Sequence, residues 1–273
     1  MSIKRKIRIL TIQYSIRYLN IHANLLKFGR ILDNYKYLKP DLVIFPEYSL
    51  TGPLYSNYHM AFNEHDAIFE KLSVFAQKYQ INLIPGSFVR KAGKYLYNST
   101  CFISEKGQIL EYYDKEHLWS SERRFLKRGL GNKPFKTSLG TIAVQICADL
   151  HSSLISHNYR SFEPDLIINL AMWSHEDIKT NRKSVPKVIE FTQTELLTRA
   201  RAIENRCYSV FCNFAGTVNI KAKSGRTYKE TSIGNSMIVN PYGEVIGKLS
   251  TNRESVLFTE LDLNKCHWSR YKY

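Results

Sequence analysis

Apolar and polar positions along this chain alternate between two periods. Ile7 to Gln13 is a short apolar run interrupted by Arg8 and predicts a first strand. From Asn20 to Leu38 the apolar positions Leu25, Phe28, Ile31 and Leu32 fall at helical spacing. The run Asp41-Leu-Val-Ile-Phe-Pro46 predicts a buried strand stopped by proline. A loop rich in Tyr, Gly, Pro and Asn over 48–63 leads to a second helix, Glu64 to Tyr79, with Ile68, Leu72 and Phe75 on one face. A strand follows at Ile81 to Pro85, then a hairpin of Tyr97 to Ile103 and Gln108 to Tyr113 around Glu105-Lys-Gly107. Beyond a polar loop over 114–133, Phe135 to Thr137 and Thr141 to Ile146 predict two strands turning at Leu139-Gly140. A helix near 152–162 and a strand at Asp165 to Leu170 come next. The longest helix runs from Lys187 to Asn205, with Ile189, Leu196, Ala200 and Ile203 as its expected buried face. Tyr208 to Phe214, Ser232 to Val239, Val245 to Leu249 and Ser255 to Leu261 close the chain as strands.

The alternation shows no repeat, low-complexity linker or break in composition. It predicts an α/β fold in one domain spanning 1–273, with helices covering sheets. Hydrophobic residues make up 44% of the chain and aromatics 13%, enough for a large core. No apolar run approaches the roughly 18 residues of a membrane helix. The basic start followed by a short, arginine-interrupted apolar run reads as a strand rather than a signal peptide. Five cysteines, an odd number without a CxxC pair, point away from a disulfide framework and towards a reducing cytoplasm. Eight histidines lie scattered without metal-ligand spacing, so neither a metal nor another cofactor is expected.

The formal charge of +15 raises the possibility of a nucleic-acid or other polyanion partner. Against it, the basic residues are spread along the chain, and the densest clusters, Lys4 to Arg8 and Arg123 to Lys133, are short. A solvated basic surface accounts for the charge.

The candidate chemistry lies at three strand ends. Cys147 ends the run Gly140-Thr-Ile-Ala-Val-Gln-Ile-Cys147 and is followed by Ala148 and Asp149. A thiolate at a strand end can attack a carbonyl or nitrile carbon, although an inert core cysteine fits the same pattern. Glu47 follows the strand that ends at Pro46, where open sheets place their sites. Lys115 follows the strand ending at Tyr113. Taken singly, Glu47 reads as a solvated loop acid and Lys115 as a surface lysine.

A Glu, a Lys and a Cys after strands, in this order and spacing, resemble the nitrilase superfamily of carbon–nitrogen hydrolases. Further matches are Glu122-Arg-Arg-Phe125 with Gly129, Asp165-Leu-Ile-Ile-Asn169-Leu-Ala-Met-Trp173, Arg201-Ala-Ile-Glu204-Asn205, and Gly234-Asn-Ser236 through Pro241-Tyr-Gly243. The resemblance implies a four-layer α-β-β-α sandwich with Glu47, Lys115 and Cys147 as the catalytic set. It implies Glu122 as a second glutamate that helps hold the substrate. Tyr48, Trp119, Ala148 and Trp173 are the further candidates for substrate contact, Ala148 through its backbone N–H. Relatives commonly dimerise, so a homodimer or higher homo-oligomer is expected, with the aromatic, basic tail Asn264 to Tyr273 as a candidate contact.

One segment departs from the family pattern. Many members continue after the cysteine with an aromatic-Pro-Glu element, whereas this chain has Cys147-Ala-Asp149-Leu-His151-Ser-Ser. Asp149 is expected to orient neighbouring backbone or to pair with a basic residue. The resulting expectation is a hydrolase of a small linear amide or N-carbamoyl compound acting through a cysteine thioester. Nitrile hydrolysis and acyl transfer to an amine are the enzyme alternatives, and a catalytically idle polyanion-binding protein is the alternative from another class. Arg123, Arg124 and Lys127 hint at an acidic substrate and serve solubility equally well.

Overall fold

The computed structural model describes residues 6–55, 57–119, 121–131, 133–175, 188–221 and 227–266. In chain order the elements are β1 (Lys6–Ser15), α1 (Ile21–Tyr35), β2 (Leu42–Ile44), α2 (Ala67–Tyr79), β3 (Asn82–Ile84), β4 (Phe88–Ala92), β5 (Tyr95–Ile103) and β6 (Ile109–Asp114). They continue with β7 (Phe135–Thr137), β8 (Gly140–Ile146), α3 (Ser153–Arg160), β9 (Leu166–Ala171), α4 (Ile189–Asn205), β10 (Tyr208–Ala215), β11 (Thr217–Lys221), β12 (Thr227–Thr231), β13 (Met237–Val239), β14 (Val245–Lys248) and β15 (Ser255–Asp262).

The period of two in the strands generates the layers. In β1, Ile7 and Ile9 point into one apolar cluster while Leu10 and Ile12 point into another. In β2, Leu42 and Ile44 join the first cluster and Val43 the second, together with Phe45 just after the strand. The first cluster also takes Ile142, Val144, Leu166, Ile168 and Val210 from β8, β9 and β10, so it is the seam between two stacked sheets. The second takes Phe28 and Leu32 from α1 and Phe69 and Leu72 from α2, which cover one sheet. On the far side, Phe211 of β10 and Ala202 of α4 share a third cluster. The order is helices, sheet, sheet, helices: the expected four-layer α-β-β-α sandwich.

In one sheet β1, β2 and β3 run parallel, with β15 antiparallel to β1 and with β5 pairing β3, β4 and β6. In the other, β8, β9 and β10 run parallel, with β7 beyond β8 and with β13 and β14 beyond β10. The sheets join where the ends of β1 and β10 pair at Tyr14–Phe214 and Ser15–Ala215. The carboxyl ends of β2 and β8 therefore open towards one end of the sandwich, where Glu47 and Cys147 follow them.

Several sequence expectations need correction. β4 and the β11–β12 hairpin were not anticipated, and of the strand expected over Ser232 to Val239 only Met237–Val239 is ladder-paired. The long helix turns a different face to the core. Leu196 and Ile203 are exposed, and the buried positions are Glu190, Thr194, Thr198, Arg201, Ala202 and Asn205. That polar face is tolerated because its groups find partners. Thr194 and Thr198 donate to the carbonyls of Glu190 and Thr194, Arg201 donates to the Leu150 carbonyl, and Asn205 donates to Ser156. Lys187 and most of the tail, 267–273, lie outside the described residues. Among the described residues no helix is long and apolar enough to cross a membrane.

Candidate active site

Lys115 leaves the end of β6 and turns directly inwards. Its backbone is fixed on both sides, its N–H donating to the Asn98 carbonyl and its carbonyl accepting from Gly129 N–H, each at 2.8 Å. Gly129 is required there, since a Cβ at that position would stand 2.1 Å from the Asp114 carbonyl oxygen. The lysine side chain is only 1% exposed, and its ammonium lies 2.8 Å from Glu47 Oε1 and 2.9 Å from Glu122 Oε2.

Both glutamates are held by further donors. Glu47 Oε2 accepts the backbone N–H of Met172 at 2.9 Å. Glu122 accepts from the Tyr48 hydroxyl at 2.6 Å and from the Trp119 backbone N–H at 2.7 Å. The Asn98 Nδ2 donates to Oε1 of both, at 2.8 and 2.9 Å. The result is a buried ring of two carboxylates bridged on one side by an ammonium and on the other by a carboxamide.

The electrostatics follow from burial. Burial pushes the Glu47 carboxyl up, and the neighbouring Lys115 ammonium only partly offsets this. Burial opposes the Lys115 ammonium, yet Glu122, Glu47 and Cys147 outweigh it and hold the lysine well above its ordinary value. Burial likewise opposes the Glu122 carboxylate, but Lys115, Tyr48 and the Trp119 N–H bring it below its ordinary value. Lys115 is thus a fixed cation, and Glu47 is the carboxyl of the pair more ready to carry a proton.

Cys147 begins a short 3-10 turn over Cys147–His151 at the end of β8. Its φ is +49°, the left-handed region that a non-glycine residue enters at a cost. The turn is anchored from below. Asn169 Nδ2 donates to the Cys147 carbonyl at 3.3 Å, and buried Asp149 accepts from the Ile146 N–H at 2.9 Å, the His117 N–H at 2.6 Å and the Tyr113 hydroxyl at 2.8 Å. Asp149 thereby orients backbone, one of its two expected roles. Its partners lie on both the Cys147 turn and the segment around Lys115.

One cavity of about 920 Å3 takes in Glu47, Lys115, Cys147 and Glu122, and also Tyr48, Trp119, Ala148 and Trp173. The structure thus brings together all eight residues singled out in the sequence. It adds Asn98 behind the cavity and His151, Glu190, Gln193, Tyr228 and Glu230 on its walls. Asn98 had a legible signal, as the first of the polar run Asn98-Ser-Thr100 in the middle of a strand. Glu190 had none, since it stands where the helical pattern called for a solvent-facing residue. Arg201 and Glu204 form an ion pair at 2.7 Å. Cys101, Cys207, Cys212 and Cys266 are buried, and none of them is in a disulfide. Among the described residues no three His, Cys, Asp or Glu side chains are grouped to hold a metal.

A four-layer sandwich with a glutamate, a lysine and a cysteine meeting at its strand ends is the architecture of nitrilase-type hydrolases. The carbon-nitrogen hydrolase family model matches residues 8–271, and the chain belongs to that family, a branch of the nitrilase superfamily. The chain is 27% identical to a probable nitrilase of Schizosaccharomyces pombe, over 98% of this chain and 93% of that protein. It is 25% identical to an omega-amidase of Yersinia enterocolitica, over 98% of this chain and 94% of the relative. The fold matches the crystal structure of a carbon-nitrogen hydrolase from Helicobacter pylori G27 with a TM-score of 0.83 at 21% identity, covering 98% of this chain and 92% of that one.

Proposed function

We propose that this carbon-nitrogen hydrolase cleaves a small linear amide or N-carbamoyl compound through a thioester on Cys147. The observation that carries the reading is the buried Glu47–Lys115 contact of 2.8 Å in the cavity that also holds Cys147. The likeness to an omega-amidase supports an amide as the substrate class.

In this reading Glu47 takes the thiol proton, and its raised affinity for protons suits a general base and acid. The sulfur attacks the carbonyl carbon, and negative charge grows on oxygen. Lys115, a fixed cation, and the backbone N–H of Ala148 stabilise that charge. The C–N bond breaks, and ammonia or an amine leaves with the proton returned by Glu47. Water, deprotonated by Glu47, then attacks the thioester, and the C–S bond breaks to release the acid and regenerate the thiol. Glu122 fixes Lys115 from the other side, and Tyr48 and Trp119 hold Glu122.

The test is ammonia release over a panel of linear amides, N-carbamoyl compounds and nitriles, with mass spectrometry of the protein after rapid quenching. Release from an amide or carbamoyl compound, with an acyl adduct on Cys147 that is absent in Cys147→Ala, is the expected result. An adduct on another residue, or turnover that survives Cys147→Ala, overturns the reading.

A further inference from the structure

Glu190 sits on the buried face of α4, is 7% exposed, and lines the same cavity as Cys147. One of its oxygens, Oε2, accepts the indole N–H of Trp173 at 2.5 Å. Trp173 belongs to the apolar cluster against which Cys147 packs. Among the described residues no lysine or arginine pairs with it. Arg201, the other charged residue on that buried face, is engaged by Glu204 and by the Leu150 carbonyl. His151, whose ring lies 5.0 Å from that of Trp173, gives no counter-charge near neutral pH, because burial holds its imidazole below the usual value.

Glu190 lies in the first turn of α4, where backbone N–H groups favour a carboxylate, and the indole N–H of Trp173 adds a further donor. A carboxylate held in this way on the cavity wall presents a negative charge to whatever the cavity binds. Trp173, Tyr228 and a second carboxylate, Glu230, line the cavity as well, and Glu230 Oε2 accepts from Ser174 Oγ at 2.5 Å. Arg124 lines the cavity too and carries the opposite preference, but it is exposed and its charge is solvated. Burial decides between them, because a charge interaction gains strength where water is excluded.

We propose that Glu190 binds a protonated amine of the substrate, so that the substrate class is a short linear amide or N-carbamoyl compound bearing a cationic amino group. This rests on the thioester-hydrolase reading of the cavity. It reverses the hint of an acidic substrate drawn from Arg123, Arg124 and Lys127. Arg123 is turned to the Leu118 carbonyl, and Lys127 lies over the Tyr95 ring.

Three linear amides of matched length test it, ending in an ammonium, a methyl and a carboxylate group. The ammonium-ended amide is expected to exceed the methyl-ended one in kcat/KM by about 10- to 100-fold, the range of a hydrogen bond to a charged group. In Glu190→Gln, which keeps an acceptor for the Trp173 N–H, that ratio is expected to collapse towards one. A preference for the carboxylate-ended amide, or a ratio that Glu190→Gln leaves unchanged, overturns the proposal. Hydrolysis of none of the three counts against the reaction and not against the cation site. Calorimetric titration of an alkyl diamine into the Cys147→Ala protein then decides the site alone. Binding that is lost on adding Glu190→Gln, at equal melting temperature, sustains it, and absence of binding overturns it.

Discussion

The hydroxyl of Tyr113 donates to the carboxylate of Asp149 across 2.8 Å, and this bond ties the strand that delivers Lys115 to the turn that delivers Cys147. Asp149 also accepts from the backbone of both segments, at His117 and Ile146. In Asp149→Ala three donors, two of them buried, lose their acceptor. Each such loss costs about 1–3 kcal/mol. A total loss of roughly 3 kcal/mol or more is expected in urea unfolding, together with reduced turnover, because both arms of the site lose their common anchor.

The same residue makes stability depend on pH. Burial pushes the Asp149 carboxyl up to about 7 from an ordinary 3.8, outweighing its donors and the Lys115 charge. An acid whose value rises on folding contributes stability that is fully present below its unfolded value and lost as pH rises through its folded value. The wild type should therefore lose stability relative to Asp149→Asn as the pH is raised from about 4 to about 8, by up to roughly 4 kcal/mol. Urea titrations of both proteins across that range measure the difference. A constant gap between them contradicts the assignment.

Lys115 stands between two carboxylates, so its removal acts on folding as well as on rate. Lys115→Met leaves Glu47 and Glu122 buried without their shared cation. Breaking a buried pair by removing one partner typically costs about 3–5 kcal/mol. Adding Glu122→Gln removes one of the stranded charges and is expected to restore part of the stability but none of the turnover. A double-mutant cycle, with unfolding and ammonia release measured on the same proteins, separates the two effects. Equal stability of the single and double variants argues that the ring is not electrostatically coupled.

The parts of this design that were legible in the sequence are those that depend on local pattern. β1, β2, β8, β9 and β10 announce themselves as apolar runs, and their ends carry Glu47 and Cys147. The parts that were not legible depend on tertiary partners. α4 buries Thr194, Thr198 and Arg201 because carbonyls are in reach, so its hydrophobic period pointed at the wrong face. β4 contains Arg90, a residue that argues against a buried strand until Asp114 and Glu64 are placed beside it. Thr217 to Lys221 does alternate, with Val218 and Ile220 buried, but it is too short and polar to stand out from a loop. Glu190 belongs with these: its burial and its place on the cavity wall follow from how α4 packs and not from any motif.

Asn98 donates one amide group to both glutamates, which stabilises their ionised forms. Replacing it with leucine, of similar size but without a donor, raises the affinity of Glu47 for protons further. The deprotonated carboxylate then prevails only at higher pH, so with Glu47 as the proposed base the acid limb of the kcat/KM profile is expected to shift upwards relative to wild type. A uniform drop in rate with an unmoved acid limb points instead to a packing role. The pH–rate profile measured with one good substrate distinguishes them.

The backbone at Cys147 offers a last test, because the proposed nucleophile is held in a conformation its own side chain disfavours. At φ +49° a residue with a Cβ pays about 1–2 kcal/mol that glycine does not. Glycine loses roughly 0.5–1 kcal/mol through its freer unfolded chain. Cys147→Ala and Cys147→Gly both remove the sulfur, so comparing them isolates the backbone. Cys147→Gly is expected to be at least as stable as Cys147→Ala, by up to about 1 kcal/mol, where an unstrained position would favour alanine. Both variants should be inactive in ammonia release. Chemical denaturation of the pair measures the difference, and a Cys147→Ala protein more stable than Cys147→Gly by the usual margin shows that the turn relaxes once the sulfur is gone. The left-handed turn would then be a property of the cysteine in its site. Strain that persists in Cys147→Ala instead belongs to the anchors beneath it, Asn169 and Asp149, which hold the strand end open towards the cavity whatever residue occupies it.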